Sequence, residues 1–591
     1  ESYSLAGRTF EANAEAYRGL KNLAPYRRSK YLNHHVANLA AAASANGFHH
    51  AALAISDEVL EIASGFQGNE KVALALRARA RFFIGLGELD SARVTLDSAR
   101  ALADLTSKRL RAEIGLSAAQ LLIAEDSIRA ARDTLRKIRG DVVPVYAPTV
   151  LYMLGMVADS LGNRAEARNY FIAAIDTIEA RQETLAEAAT RASYLETVEN
   201  VFDAVIRMEL AAGRPDSALA YLERGREVAW KPLVGSNEGR SGSRRTWIAE
   251  LQRELPDRTV LLDYALLQDR LEIWTVSRDE IGHRSVPVGR VGIQRLVRRL
   301  AIDMRDEDVR SGDARVALFD LLLRPVEGSI RKAEQLYIVP DRELHQVSFA
   351  ALWDTTAHAD SPYVMQRWVT SQSPNAGFLL DAVRAPSQVP NLSRALVVGN
   401  PMLADSLGLD SLAYAEEEAK EIARHYEVRP LMGRAASKQA VMEAMRRTSV
   451  IHFAGHSVYN RDQPELSYLA LAPDKPGDDG LLYAWEIDSL SLSNVKVAVL
   501  SACSTLNPRP TRAGATAGLA YSFLRGGVPG IVSTIQDVRD DETEFLRDFH
   551  EALKTLPPAE ALRQAQLIAL GSKDPRQRKP SAWAAFIYTG R

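Results

Sequence analysis

The chain is poor in cysteine: among its 591 residues the only thiol is that of Cys503. One cysteine excludes a disulfide within the chain, which is typical of a protein in a reducing compartment, and we therefore expect a cytoplasmic location. Zinc sites built from paired cysteines are excluded for the same reason. The adjacent histidines at 34–35 and 49–50 would point to different faces of a helix. We accordingly predict no metal site and no cofactor.

Long apolar runs and an excess of charge of one sign are absent as well. No run reaches the roughly 18 residues that a transmembrane helix needs, so we predict no membrane segment. The 73 basic and 75 acidic residues give a net charge of −2, which offers no global field for binding nucleic acid or an anionic membrane. A phosphate-binding loop of the GxxxxGK type is also missing, which argues against a nucleotide-switched regulator.

The length of the chain exceeds what one hydrophobic core usually serves and indicates about three or four domains. We predict a helical solenoid over residues 1–232, a polar linker over 233–250, a non-catalytic α/β segment over 251–392 and a catalytic α/β domain over 393–591. The predicted fold class is therefore multidomain, all-α in its first part and α/β with a parallel sheet in its second.

The first 230 or so residues are rich in Ala, Leu, Glu and Arg and almost free of strand-like runs. Turn residues recur there, and a small residue follows each by five positions. The pairs are Gly47 with Ala52, Gly87 with Ala92, Glu125 with Ala130, Gly162 with Ala167, and Gly213 with Ala218. Small residues let antiparallel helices pack closely. The pattern resembles the tetratricopeptide repeat, which implies a superhelix that binds a protein or peptide. A solenoid that only stabilises the following domain is the alternative.

Beyond the linker, short apolar runs rich in β-branched residues alternate with helices, which indicates a parallel sheet covered on both faces. The third such run ends in a turn that leads to His345, but no cysteine lies in that segment. Later, the run 450–455 leads to His456 and the run 497–502 leads to Cys503. Chemistry in open α/β sheets collects beyond the carboxyl ends of the strands. We therefore expect these two strands to be neighbours and His456 and Cys503 to share one rim.

A histidine beside a cysteine suits nucleophilic catalysis. The thiolate is the attacking species, and an imidazole can take the thiol proton and later protonate a leaving amine. Backbone amides at a strand exit can stabilise the oxyanion, and those of Ser457 and Cys503 are the natural donors. The alternative is a buried structural cysteine near a hydrogen-bonded structural histidine.

Several local motifs favour the catalytic interpretation of this pair over the structural one. They are His452-Phe-Ala-Gly-His456, Val499-Leu-Ser-Ala-Cys503-Ser-Thr, Gly518-Leu-Ala-Tyr-Ser-Phe-Leu-Arg-Gly-Gly-Val-Pro-Gly-Ile-Val-Ser-Thr534, Asp537-Val-Arg-Asp-Asp541 and Ser581-Ala-Trp-Ala-Ala-Phe586. Together they resemble the CHAT family, caspase-like peptidase domains found joined to tetratricopeptide repeats. The resemblance covers roughly Leu251 to Arg591. It implies that Cys503 is the nucleophile and His456 the general base and acid, with His452 structural.

One departure from the family concerns the residue after the histidine, which is usually glycine and is Ser457 here. Specificity is suggested by Asp537, because the stretch Ile535 to Asp540 resembles the part of separases that lines the pocket for the residue before the cleaved bond. A carboxylate there favours arginine or lysine. Asp540 is the second candidate, and an acidic helix start is the alternative role for both.

We thus expect a cysteine endopeptidase that cleaves a protein substrate after a basic residue. Its solenoid would bind the substrate or a regulatory partner and control activity. The rival hypothesis is a catalytically inactive scaffold that joins two proteins.

Overall fold

The computed structural model describes residues 36–37, 39–40, 43–44, 48–66, 68–103, 107–181, 188–230, 247–305, 313–356, 362–384, 394–460, 464–475, 477–502, 518–536 and 543–590. The chain divides into two compact units, the first ending at Arg214 and the second running on from Pro215. None of the helices in the described ranges has the length and apolar composition that a bilayer crossing requires.

The described residues of the first unit form successive helices. They are α1 (His49–Ser64), α2 (Glu70–Leu86), α3 (Leu89–Ala103), α4 (Lys108–Ala124), α5 (Ile128–Ile138), α6 (Ala147–Ser160), α7 (Arg164–Arg181) and α8 (Ala188–Ala211). Each helix packs against its sequence neighbours, as α2 does against α3 and α6 against α7. This is the arrangement that a helical repeat requires, because one helical pair alone cannot bury its apolar face.

Small buried residues set the close packing of these helices. Ala52, Ala92 and Ala167 are fully buried. A side chain added at Gly155 would place its Cβ 2.4 Å from the ring of Phe171, so only glycine fits there. The small-residue pattern seen in the sequence therefore marks real helix contacts.

The third repeat differs from the prediction by one residue. The left-handed turn residue is Asp126, with φ of 58°, rather than Glu125, and the buried alanine is Ala131 rather than Ala130, which is exposed. The corresponding turns at Gly87 and elsewhere use glycine, which reaches positive φ without strain. Aspartate also tolerates this conformation, so this turn does not need the glycine that marks the other repeats. Without that glycine, the sequence pattern places the turn and its buried alanine one residue too early.

The second unit contains fourteen strands among its described residues. They are β1 (Thr259–Leu266), β2 (Leu271–Val276), β3 (Ile281–Val286), β4 (Gln335–Val339), β5 (Val369–Gln372), β6 (Ala395–Pro401), β7 (Leu431–Gly433), β8 (Val450–Ala454), β9 (Ser457–Val458), β10 (Tyr468–Ala470), β11 (Leu481–Tyr483), β12 (Val497–Ser501), β13 (Gly530–Thr534) and β14 (Phe586–Gly590). Eleven form one sheet in the order β3-β2-β1-β4-β5-β14-β13-β12-β8-β6-β7, and β11-β10-β9 form a small antiparallel sheet.

Helices of the second unit lie between these strands along the chain, except for two that precede β1. They are α9 (Pro215–Trp230), α10 (Trp247–Glu254), α11 (Arg290–Arg305), α12 (Asp313–Leu322), α13 (Glu327–Ile330), α14 (Val364–Arg367), α15 (Ala376–Arg384), α16 (Ala413–His425), α17 (Lys438–Met445), α18 (Ala484–Asp488), α19 (Leu519–Arg525), α20 (Thr543–Ala552), α21 (Pro558–Gly571) and α22 (Pro580–Trp583). Strands β1, β8 and β13 are buried along their whole length, as expected for a sheet with both faces covered.

The large sheet joins two parallel sets that run in opposite directions. Strands β1, β4, β5 and β14 are parallel, and so are β13, β12, β8, β6 and β7, whereas β14 pairs with β13 antiparallel. Along the strand direction, the carboxyl ends of β4 and β8 therefore lie on opposite sides of the sheet. The predicted fold class, a helical solenoid followed by α/β structure with parallel strands, is confirmed. The predicted domain division did not include the role of β14, which joins both α/β segments in one sheet.

Candidate active site

The strands that lead to His456 and Cys503 are direct neighbours. β8 and β12 are parallel, and their register pairs Val450 with Val497 and Ala454 with Ser501. The amide of Gly455 also donates a hydrogen bond to the carbonyl of Ser501, at 3.3 Å. The prediction that these strands lie side by side is thus confirmed, and both chains leave the sheet at the same edge.

His456 lies two residues beyond the end of β8 and is partly exposed. Its carbonyl accepts a hydrogen bond from the amide of Ala470, at 3.0 Å, which fixes its backbone against β10. Its Nε2 lies 2.7 Å from the carbonyl oxygen of Asp410. Because a carbonyl can only accept, Nε2 is the nitrogen that carries the proton. In the neutral ring this leaves Nδ1 with its lone pair, ready to act as a base.

The loop that carries Asp410 is held by a side chain that was not among the predicted site residues. Asn400, the penultimate residue of strand β6, has a left-handed φ of 42°. Its Oδ1 accepts a hydrogen bond from the amide of Leu412, at 2.9 Å, and its Nδ2 donates to the hydroxyl of Ser411, at 3.0 Å. An asparagine near the carboxyl end of a mostly buried strand was a usable signal, whereas a backbone carbonyl leaves no mark in the sequence.

Of the other predicted site residues, the structure describes only Ser457. Cys503, Asp537 and Asp540 lie outside the described residues, so their roles stay predictions. Ser457 opens β9, where it pairs with Leu469 of β10. The last described residue before the cysteine is Ala502, whose carbonyl accepts a hydrogen bond from Thr534 Oγ1, at 2.5 Å.

A second histidine on β8, His452, faces a buried polar network instead of the rim. It is completely buried, with Nδ1 at 3.0 Å from His550 Nε2 and Nε2 at 2.9 Å from a carboxylate oxygen of Glu418. The hydroxyl of Tyr426 lies 2.7 Å from the other nitrogen of His550. Burial, reinforced by the neighbouring histidines, lowers the pKa of His550 well below its usual value, so that its ring is neutral.

One connection links this network to the strand that leads to Cys503. The hydroxyl of Ser501, at the end of β12, donates to Glu418 Oε2 at 3.2 Å. Glu418 belongs to α16, the helix that follows the loop carrying Asp410. Helix α16 is therefore attached to β12, and its preceding loop is attached to His456.

The corresponding histidine of the first α/β segment, His345, is enclosed. Its Nδ1 shares a hydrogen bond with the hydroxyl of Tyr521 on α19, at 3.0 Å, and the ring is buried. Burial lowers the pKa of His345 to about 3, although the charge of Asp341 opposes part of this shift. An imidazole that stays neutral and cannot reach solvent is a structural group.

A buried ion cluster lies in the same half of the sheet. Arg226 of α9 pairs with Glu223 and with Asp263 of β1, and all three side chains are buried. Burial alone lowers the pKa of Arg226, but the charges of Asp263 and Glu223 raise it overall, so the guanidinium keeps its proton. Glu223 also accepts the amide hydrogen of Ala376, at the start of α15. The cluster ties α9 to β1 and to the start of α15.

Three comparisons with known proteins agree with this architecture. Residues 314–591 match the family model described as "CHAT domain". Tetratricopeptide repeat protein 28 of Mus musculus is 28% identical over 332 residues, which cover 46% of this chain and 13% of the mouse protein. The protein of the same name from Homo sapiens is 26% identical over 331 residues, again 46% of this chain and 13% of that protein. The chain thus corresponds to about an eighth of the curated relatives that it matches.

Among solved structures, the Saccharomyces cerevisiae separase–securin complex is similar, with a TM-score of 0.52 over 91% of this chain and 48% of that chain, at 10% identity. A second crystal structure of the same complex gives a TM-score of 0.51 at 11% identity. At such low identity the likeness concerns the fold alone.

Proposed function

Because residues 314–591 form a CHAT domain with a separase-like fold, we propose that the protein is a cysteine endopeptidase with Cys503 as nucleophile and His456 as general base and acid. The observation that carries the proposal is the paired register of β8 and β12, since each strand is followed two residues later by one of the two groups. The hydrogen bond from His456 Nε2 to Asp410 supports it further, because it directs the basic Nδ1 away from that carbonyl.

The reaction follows from these groups. His456 Nδ1 takes the proton of the Cys503 thiol, and the sulfur attacks the peptide carbonyl carbon to form a tetrahedral oxyanion. The C–N bond then breaks, and the leaving amine takes the proton from His456, which leaves a thioester. Water, deprotonated by the same imidazole, hydrolyses the thioester, and the released thiolate is reprotonated.

The oxyanion would accept hydrogen bonds from the amides of Ser457 and Cys503. Ser457 replaces the glycine usual at this position, but it lies in the extended strand β9 and is not among the residues with positive φ. An extended backbone is open to any L residue, so serine does not by itself disturb the amide.

We propose a preference for arginine or lysine before the cleaved bond, with Asp537 as the pocket carboxylate and Asp540 as its alternative. β13 runs parallel to β12 and ends at Thr534, so the chain toward Asp537 leaves from the same sheet edge as the chain toward Cys503. A carboxylate and a guanidinium form a charge-assisted, bidentate pair, which gives the selectivity.

The helical repeats of the first unit support a role in binding a protein, either the substrate or a regulator. Repeat superhelices offer extended concave surfaces to partners. In this proposal the solenoid selects what reaches the second unit, and a docked partner raises the peptidase activity.

The test is a comparison of new protein N-termini in a proteome treated with the wild-type chain, with Cys503→Ala and with His456→Ala. The proposal predicts termini that appear only with the wild type and that follow arginine or lysine. Identical termini in all three samples, at matched folding by circular dichroism, would support the rival function, a catalytically inactive scaffold.

A further inference from the structure

The small antiparallel sheet beside His456 has two unlike faces. Register pairs Val458 of β9 with Tyr468 of β10, and Tyr468 with Tyr483 of β11. Cross-strand partners point to the same face, so these three side chains form one row. The next residues along, Leu469 and Leu482, point to the opposite face and are completely buried. The row of Val458, Tyr468 and Tyr483, which we term the tyrosine row, therefore faces outward.

The tyrosine row is apolar and only half-buried. The rings of Tyr468 and Tyr483 meet edge to face with centroids 5.8 Å apart, a favourable aromatic arrangement. Just beyond β11 the indole of Trp485 is 51% exposed. Aromatic side chains grouped in this way on a surface commonly mark a binding site.

A carboxylate is fixed beside the two tyrosine rings. Asp479 Oδ1 accepts the amide hydrogen of Leu481, at 3.0 Å, and Oδ2 lies 3.4 Å from the hydroxyl of Tyr483, which donates to it. Burial and then the charge of Asp479 raise the pKa of both Tyr468 and Tyr483, consistent with a carboxylate close to each ring. The exposed end of Asp479 thus gives the row a negative charge.

The surrounding charge has the same sign. The segment 474–486 carries four carboxylates, those of Asp474, Asp478, Asp479 and Glu486, against the single ammonium of Lys475. Lys438 reaches this segment, but its Nζ is held by Glu486 at 2.8 Å. The ammonium also lies 5.8 Å from the ring centroid of Tyr483, so one cation already lies near this ring.

The tyrosine row lies close to the candidate catalytic histidine. The amide of Ala470 bonds the carbonyl of His456, and Tyr468 lies two residues away along β10. At ~3.3 Å per extended residue this separation is about 7 Å, which equals two residues of an extended peptide. A peptide bound beside His456 in an extended conformation would bring a side chain two residues from the cleaved bond to the row.

We propose that the tyrosine row together with Asp479 is a substrate subsite for an arginine or lysine side chain located two residues from the cleaved bond. The subsite rests on the proposed function, since it assigns the row to the same peptide that His456 and Cys503 would cleave. A guanidinium can stack on the tyrosine rings while it pairs with the Asp479 carboxylate. Acidic side chains are repelled by the local charge, and a purely apolar side chain would make no charge-assisted pair with Asp479.

The experiment uses the full chain with Cys503→Ala, so that peptides bind without turnover. The probes are fluorescein-labelled Gly/Ser peptides with one fixed arginine and a second arginine placed two residues before or after it. Matched peptides carry neutral citrulline at the second position. Fluorescence anisotropy gives Kd for each peptide with the parent and with added Asp479→Asn or Tyr483→Ala.

The expected result is a double-mutant cycle with coupling. For one of the two spacings, Asp479→Asn and Tyr483→Ala each weaken the arginine peptide by about fivefold and leave the citrulline peptide unchanged within about twofold. Asp269→Asn, an exposed carboxylate in the turn between β1 and β2, is the matched control and changes neither peptide. Added salt reduces the difference between the arginine and citrulline peptides.

Two other results separate this proposal from the proposed function. If Asp479→Asn affects arginine and citrulline peptides equally at both spacings, or affects neither, the subsite is wrong even when the wild type cleaves protein. If the cycle shows coupling but the wild type cleaves nothing, the subsite stands as a binding site and the peptidase proposal fails.

Discussion

Each half of the large sheet sends a histidine beyond the carboxyl end of a buried parallel strand, yet the two side chains meet opposite surroundings. His345 follows β4, is buried and shares a hydrogen bond with the hydroxyl of Tyr521. His456 follows β8, is partly exposed and donates to the carbonyl of Asp410. The same local sequence signal therefore yields an enclosed, neutral imidazole in one half and a partly exposed imidazole in the other.

The difference comes from segments that are distant in sequence. In the first half, α9 brings the buried Arg226 to β1, and α19 brings Tyr521 to His345. In the second half, the loop before α16 contributes only a backbone carbonyl to the histidine. A strand-exit histidine that is buried against a helix, as His345 is against α19, is thus not a candidate for catalysis.

The largest expected effect is on cleavage, with one histidine changed at a time. His456→Ala removes the proposed base and should lower kcat/KM by about a thousandfold or more, since general base catalysis contributes roughly 10²–10⁴. His345→Gln, in the enclosed half, should retain activity within about threefold. Turnover of a substrate found among the new N-termini measures both, and equal losses would erase the distinction between the two halves.

The second effect is on stability and concerns the buried ion cluster. Arg226→Met leaves Glu223 and Asp263 buried without their cation, and should lower the free energy of unfolding by about 3–5 kcal/mol. The matched control is Arg270→Met, which removes an exposed ion pair with Asp269 and should cost less than about 1 kcal/mol. Urea unfolding of the full chain measures both, and a similar loss in the two variants would contradict the structural role of the cluster.

The third effect is a pH dependence that belongs to the enclosed half. With the folded pKa of His345 near 3 and the unfolded value near 6.5, the unfolded chain binds the proton more readily between these limits. The free energy of unfolding should therefore fall as pH drops below about 6.5, by about 1.4 kcal/mol per pH unit for this group. His345→Gln should flatten the decline measured by urea unfolding between pH 7 and about 5. Parallel curves for the two proteins would show that His345 is not neutral and buried.

The smallest effect sharpens the description of the accessible half. Asn400→Ala frees the loop whose Asp410 carbonyl holds His456, and should lower kcat by about tenfold while KM stays within about twofold. Asn400→Asp keeps the oxygen that accepts the Leu412 amide hydrogen and should restore part of the rate. A loss confined to KM, or no rescue by aspartate, would remove Asn400 from the positioning of His456.

The sequence predicted those features that depend on regular patterns. Alternating buried strands and helices favour parallel neighbours, and the prediction that β8 and β12 are adjacent followed from this pattern. Features set by single contacts were not predictable in this way. Asp126 adopts the left-handed turn conformation without being glycine, so the predicted position of that repeat was one residue off. The enclosure of His345 depends on Tyr521, which is distant in sequence. The three strands of the small sheet are only two or three residues long, too short for a periodic signal.

Activation of the Cys503 thiol by His456 is the step on which the proposed peptidase chemistry depends most directly. Because this cysteine is unique, the rate of its alkylation by iodoacetamide can be followed by intact mass. At neutral pH the native wild type should react about tenfold faster than His456→Ala, and the two should react equally once unfolded in urea. Equal native rates, or a native thiol that reacts slowly in both proteins, would contradict the proposed pairing.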